Sequence, residues 1–103
     1  MYAMSYTVAN AVSNALSFKA WQPDKVLSMA LRLVPDLDNV ALHMIQRTLD
    51  RNEWDFGCPV NQRLCLPIAR ELCTAVEDEI ERRRAECRRS EQECGISQKA
   101  ANA

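Results

Sequence analysis

The chain has 103 residues, a formal net charge of −1 and 48% hydrophobic residues, but only two glycines and four prolines. A near-neutral charge provides no global field toward nucleic acid or anionic membranes, and no apolar run approaches the ~20 residues of a membrane span. The N-terminal segment lacks the basic start of a signal peptide. We therefore expect a cytoplasmic protein with reduced cysteines, and the scarcity of glycine and of β-branched runs predicts an all-α bundle.

The first two predicted helices are short. One covers about residues 5–18 and places apolar side chains on one side: Val8, Val12, Ala15 and Leu16. The other covers about residues 23–34, with Pro23 at a first helical position, where proline is favoured, and Pro35 ending it.

The third predicted helix, about residues 37–51, has the clearest amphipathic pattern of the chain. Asp36 is positioned to cap it. Its expected core face contains Leu37, Val40, Ala41, Met44, Ile45, Thr48 and Leu49. On a helical wheel His43 lies opposite the face of Val40, Met44 and Thr48, and we interpret it as a solvated surface histidine.

The fourth predicted helix, about residues 67–94, is much longer than the others. Pro67 is placed to begin it and Gly95 to end it. Residues 59–66 are expected to form a separate short turn. These elements predict a single helical domain over residues 1–95, followed by a frayed tail at 96–103.

A seven-residue recurrence runs along this last helix through Cys73, Ile80, Cys87 and Cys94. Seven residues are two helical turns, so the four side chains share one face. We assign the first two to the domain core and interpret Cys87 and Cys94 as a weak self-association or thiol contact in a homodimer. The intervening d-type positions of the recurrence are Arg83 and Ser90, which make this seam too polar for a strong coiled coil.

Metal and cofactor sites are not predicted. Structural zinc sites use close cysteine pairs such as C-x2-C, whereas the five cysteines here are at least seven positions apart. The chain has one histidine, no glycine-rich phosphate loop and no G-x-S-x-G element. An enzyme is therefore the least expected class.

An arginine cluster is the strongest charge feature: Arg82, Arg83, Arg84, Arg88 and Arg89. Such a cluster can neutralise phosphates. However, the arginines spread around the helix, and we expect Asp78–Arg82 and Glu79–Arg83 to form ion pairs four residues apart. A helix-turn-helix interpretation of helices 2 and 3, with Asn39, His43, Gln46 and Arg47 in the major groove, is an alternative. Asp36 and Asp38 oppose it.

Three aromatic residues lie in predicted connections: Trp21, Trp54 and Phe56. Aromatic side chains there either cover a core or anchor an interface. Together with the arginine cluster they are our predicted partner-binding residues.

The sequence thus predicts a non-catalytic interaction module, a small regulator or inhibitor that binds a larger protein or nucleoprotein complex, a class common among accessory proteins of phages and mobile elements. The first alternative is a nucleic-acid-binding regulator that uses helix 3 or the arginine cluster. The second is a redox-sensing dimer formed through the C-terminal cysteines.

Overall fold

A computed structural model describes the backbone of residues 2–102 and the side chains of residues 6–90. It contains α1 (Tyr2–Leu16), α2 (Pro23–Leu33), a 3-10 turn (Val34–Asp36), α3 (Asn39–Asp50) and α4 (Pro59–Asn102). The predicted all-α class, with three short helices and one long one, is confirmed. Within the described part of the chain, each helix is too short or too polar to cross a membrane.

The helices pack pairwise around one core. Both α1 and α4 pack on α2 and α3. The core combines apolar side chains from all four helices with Val34, Leu37 and Phe56 from the connections. Its largest fully buried members are Phe56, Leu27, Leu42, Ile45, Leu49 and Leu72. Burial of these side chains, rather than helix propensity alone, stabilises helices of only 11 to 15 residues.

The turn between α2 and α3 differs in detail from the sequence prediction. Asp38, not Asp36, caps α3: its side-chain Oδ1 accepts a hydrogen bond from the Ala41 backbone N–H at 2.8 Å. Asp36 belongs to the 3-10 turn that continues from α2. Leu37, predicted to begin α3, instead has an extended backbone and a buried side chain.

The buried face of α3 is also rotated relative to the prediction. The core takes Ala41, Leu42, Ile45 and Leu49, whereas Val40 and Met44 are exposed. The apolar positions of α3 cover a wider arc than its contacts with α1 and α4 can bury. The large side chains Leu42, Ile45 and Leu49 point inward, and Val40 and Met44 remain in solvent.

The prediction that Pro67 begins the last helix is wrong, since α4 starts at Pro59 and contains Pro67. Pro59 takes the first position of the helix, where its missing N–H is harmless. Pro67 lacks the N–H that would bond the Arg63 carbonyl, but both residues are exposed, so water can satisfy this group. The α4 helix also continues past Gly95. The expected fraying of 96–103 lies outside the residues whose side chains are described.

The core face of α4 follows a spacing of three or four residues rather than the seven-residue recurrence. It consists of Cys65, Ala69, Leu72, Val76 and Ile80. Of the recurring residues, Cys73 is half-buried and Cys87 is exposed, while the Cys94 side chain lies outside the described residues. Beyond Ile80, no side chain up to Ser90 is buried in the core.

Two connections meet at one end of the bundle. Residues 17–22 join α1 to α2, and residues 51–58 join α3 to α4. The Asp55 N–H donates to the Leu16 carbonyl at 2.8 Å, and Ser17 forms an isolated β-bridge with Asp55. The first connection is therefore held to the second by backbone hydrogen bonding.

Gly57 is required at this junction. Its φ is +94°, a backbone conformation that side chains disfavour, and a Cβ placed on it would lie 3.3 Å from the Phe18 Cβ. Asn52, at the end of α3, has φ 55°, which asparagine tolerates better than most residues.

We predict that Gly57→Ala lowers the free energy of unfolding by about 1–2 kcal/mol through backbone strain and crowding against Phe18. Asn52→Gly is the matched control, because glycine relieves a positive φ without adding atoms, and its stability should change by less than about 1 kcal/mol. Urea unfolding followed by circular dichroism measures both. A Gly57→Ala protein as stable as the wild type would show that this junction is not as described.

Candidate functional site

The arginine cluster contains a tertiary contact that holds α4 to the rest of the bundle. The Arg83 guanidinium donates from Nη1 to the Asn39 Oδ1 at 3.0 Å and from Nη2 to the Pro35 carbonyl at 3.1 Å. Its Nε donates to Glu79 Oε2 at 2.6 Å. Arg83 therefore links α4 to the α2–α3 turn and to the first residue of α3.

Glu79 is the buried carboxylate of this cluster, with 8% of its surface exposed. Arg82 also donates to it, from Nε at 3.1 Å and from Nη2 at 2.6 Å. Hydrogen bonds from Arg82 and Arg83 lower the pKa of Glu79 to about 2, and burial opposes them. A charged carboxylate is tolerated at the edge of the core because two guanidinium groups neutralise it.

The remaining arginines divide into paired and unpaired groups. Arg82 also pairs with Glu86 at 2.7 Å, and Arg88 pairs with Glu81 at 3.0 Å. Arg84 and Arg89 form no ion pair with any side chain of residues 6–90.

The ion-pair predictions for this cluster are correct for one pair and wrong for the other. The Glu79–Arg83 ion pair forms as expected. Arg82, however, forms ion pairs with Glu79 and Glu86 instead of Asp78. The Glu79 carboxylate lies beside the core, so its hydrogen bonds to Arg82 suffer less competition from water than those of exposed Asp78. Since Arg82, Arg83 and Arg88 already donate to acceptors within residues 6–90, Arg84 and Arg89 are the cluster members left to contact a phosphate backbone.

The predicted aromatic residues occupy three different environments. Phe56 is buried in the core, so its side chain is not available to a partner in this fold. Trp54 is half-buried and lies 6.5 Å from Phe56 between ring centroids. Its indole N–H is buried and donates no hydrogen bond to any described group. Phe56 is therefore part of the core, and Trp54 covers it.

Trp21 is the exception, with 86% of its surface exposed. Phe18, in the same connection, is 61% exposed and has φ 55°. The Lys19 N–H donates to the Asn14 carbonyl at 2.9 Å, the six-residue hydrogen bond of a Schellman motif that usually has glycine at the Phe18 position. We call residues 17–22 the aromatic connection.

The four cysteines with described side chains are free thiols. Burial and nearby Asp24 raise the pKa of Cys65. Cys73 lies beside Asp50 and Glu77, and the three possible ligand atoms are within 4.8 Å of one another. Burial and Glu77 raise the pKa of Cys73, which opposes formation of the thiolate that binds metals.

The helix-turn-helix alternative requires several polar side chains of α3 to face outward. His43 and Arg47 are exposed, and Gln46 is half-buried. The prediction that His43 lies opposite Val40 and Met44 is wrong, because the three side chains line one depression. Asn39, however, is already a hydrogen-bond acceptor for Arg83. Asp38 caps the N-terminal end of α3, where negative charge opposes a phosphate backbone.

Comparison of the chain with protein-family models, curated proteins and solved structures gives no match. The surface of this protein is therefore the basis for any functional proposal.

The sequence predicts the Glu79–Arg83 ion pair, but it does not predict that the Glu79 carboxylate is buried or that Phe18 has a left-handed backbone. Glu79 occupies a core position on the α4 wheel, three residues after Val76, and this spacing could have indicated a buried carboxylate that needs arginine partners. Phe18 was assigned to the end of α1, because a left-handed phenylalanine has no sequence signal comparable to a C-terminal glycine.

Glu79 makes stability depend on pH. Its folded pKa of about 2 lies below an unfolded value near ~4.3, so its contribution is present above pH ~4.3 and is lost as pH falls toward 2. We predict that Glu79→Gln lowers the free energy of unfolding by about 2 kcal/mol at pH 7. This is less than the full pKa difference implies, because solvent screens the exposed guanidinium of Arg82. Chemical unfolding at several pH values should show this difference shrinking below pH ~4. A difference that does not change with pH would contradict the assignment.

Proposed function

We propose that this protein is a non-catalytic interaction module that binds a larger protein or nucleoprotein complex through its aromatic connection. The observation that carries the proposal is the exposure of Trp21 and Phe18 on a connection whose start is held in place. Ser17 is bridged to Asp55, and the Lys19 N–H donates to the Asn14 carbonyl. Tryptophan is among the residues most enriched in binding hot spots, and a fixed backbone reduces the entropy lost on binding.

The energetics of Phe18 support the same proposal. A non-glycine residue in the left-handed region costs on the order of 1 kcal/mol, and a side chain that is mostly exposed recovers little of this by burial. The comparable position after α3 has Asn52, a residue suited to that conformation. Retaining phenylalanine after α1 is therefore better explained by contact with a partner than by stability.

Such a module catalyses no reaction, and it regulates or inhibits its partner by covering part of the partner's surface. The nucleic-acid alternative has less support, because three of the five clustered arginines already donate to acceptors on the protein.

We predict that Trp21→Ser leaves the free energy of unfolding within about 0.5 kcal/mol of the wild type and weakens partner binding at least ~10-fold. Phe18→Asn should also weaken binding, while its stability stays within about 1 kcal/mol, because relieved strain offsets lost burial. Affinity purification from the source organism with quantitative mass spectrometry measures recovery of the partner.

Tyr6→Ser is the matched control, since Tyr6 is an exposed aromatic residue on α1, ~15 Å along the helix from Leu16. Tyr6→Ser and the wild type should recover the same partner, and Trp21→Ser should lose it. Equal recovery by all variants would contradict the proposal.

Fluorescence provides a direct second test once a partner is purified. Trp54→Phe removes a buried indole N–H that has no acceptor among the described groups, so it should be tolerated, and it leaves Trp21 as the one tryptophan of the chain. Emission should then shift to shorter wavelength on binding. Unchanged emission in a formed complex would exclude Trp21 from the interface.

A further inference from the structure

A second surface, on the opposite side of α3 from the core, is not used by the aromatic connection. We call it the outer face of α3. It comprises two columns of side chains at four-residue spacing that surround a shallow depression of about 540 Å³, namely Val40, Met44 and Thr48 beside His43, Arg47 and Arg51.

The first column is apolar and open to solvent. Val40 is 53% exposed and Met44 is 36% exposed. The Thr48 hydroxyl donates to the Met44 carbonyl at 2.9 Å, so its donor is used within the helix. Three residues aligned along one side of a helix therefore offer mainly apolar contact to solvent.

The second column is basic. Arg47 and Arg51 form no ion pair with any side chain of residues 6–90, and His43 precedes them by one turn. Their place near the C-terminal end of α3 is favourable for the helix dipole. The dipole does not explain why the adjacent Val40 and Met44 are left exposed.

An occupant that complements both columns must carry an apolar row beside an acidic row at the same spacing. An amphipathic helix with carboxylates along one edge has this pattern, because its residues also align every three to four positions. A nucleic-acid backbone would match the arginines but leave Val40 and Met44 without apolar contact. It would also approach Asp36 and Asp38 at the N-terminal end of the face.

We propose that the outer face of α3 binds an acidic amphipathic helix of a partner protein. Leucine-type side chains of that helix pack on Val40 and Met44, and its carboxylates accept hydrogen bonds from Arg47 and Arg51. The inference goes beyond the proposed function, because it concerns a different surface and does not depend on Trp21.

The test uses a fluorescein-labelled synthetic peptide of about 18 residues, five helical turns, with leucine and glutamate in two adjacent rows. Controls are a scrambled peptide of the same composition and a peptide with lysine in place of glutamate. Fluorescence anisotropy with the full chain should show binding at least ~10-fold tighter for the patterned acidic peptide than for either control.

Charge reversal distinguishes recognition from nonspecific attraction. Arg47→Glu combined with Arg51→Glu should weaken the acidic peptide at least ~10-fold and improve binding of the lysine peptide. Met44→Ser should weaken binding by loss of apolar contact. Trp21→Ser should leave peptide binding unchanged, so failure of this inference and failure of the aromatic connection are separately visible.

Two results would overturn the inference. One is equal affinity for the patterned and scrambled peptides, which would mean that only net charge matters. The other is tighter binding of a short DNA duplex than of the acidic peptide at the same salt concentration, with loss of DNA binding in the Arg47→Glu and Arg51→Glu double variant. That result would assign the face to nucleic acid.

Discussion

At the end of the bundle where α2 meets α3, the structure depends on the hydrogen bonds of the Arg83 guanidinium. This group lies between the Glu79 carboxylate and the α2–α3 turn. Beyond Ile80 no side chain up to Ser90 is buried in the core, but the Arg83 guanidinium still donates hydrogen bonds to Asn39 and Pro35. The same guanidinium satisfies a buried carboxylate and holds Asn39 at the start of α3. Buried charge is expensive unless it is paired and hydrogen-bonded, and this contact meets both conditions. It also removes Arg83 from the surface that a partner can use.

The other end of the bundle shows the opposite arrangement. The charge of Arg83 stabilises the fold through hydrogen bonds to the protein. The aromatic connection instead has a left-handed Phe18 and an exposed Trp21 on a backbone that hydrogen bonds hold in place. Strain and exposed aromatic surface both lower stability. The fold tolerates them because Leu16, two residues before Phe18, and Phe56, next to Asp55 in the facing connection, are buried in the core. Such local conflicts with stability are expected where a protein binds. The outer face of α3 extends the same reasoning to Val40 and Met44.

The sequence predicted the all-α class, the number of helices and the core positions named for α1, because apolar spacing and proline placement are local signals. It misjudged the rotation of α3, since two overlapping apolar stripes compete there and only tertiary contacts select Leu42 over Val40. It placed the start of α4 at Pro67 because proline at an exposed position inside a helix resembles proline at a helix start. Of the two ion pairs predicted in the arginine cluster, Glu79–Arg83 forms and Asp78–Arg82 does not. The hydrogen bond from Arg83 to the Pro35 carbonyl crosses the fold and has no local signature in the sequence. The sequence likewise left open whether Phe56 covers the core or anchors an interface, and its burial in the core depends on tertiary packing.

The central claim, that Arg83 is a tertiary link and not part of a free basic surface, is tested most directly by a double-mutant cycle of Arg83→Ala and Asn39→Ala, with Arg84→Ala in place of Arg83→Ala as the control cycle. The free energies of unfolding at pH 7 give the coupling energy of each pair. We predict a coupling of about 1 kcal/mol between Arg83 and Asn39 and none between Arg84 and Asn39, because Arg84 is exposed and has no described ion pair. Additive effects of Arg83→Ala and Asn39→Ala would contradict the claim and return Arg83 to the exposed arginine cluster.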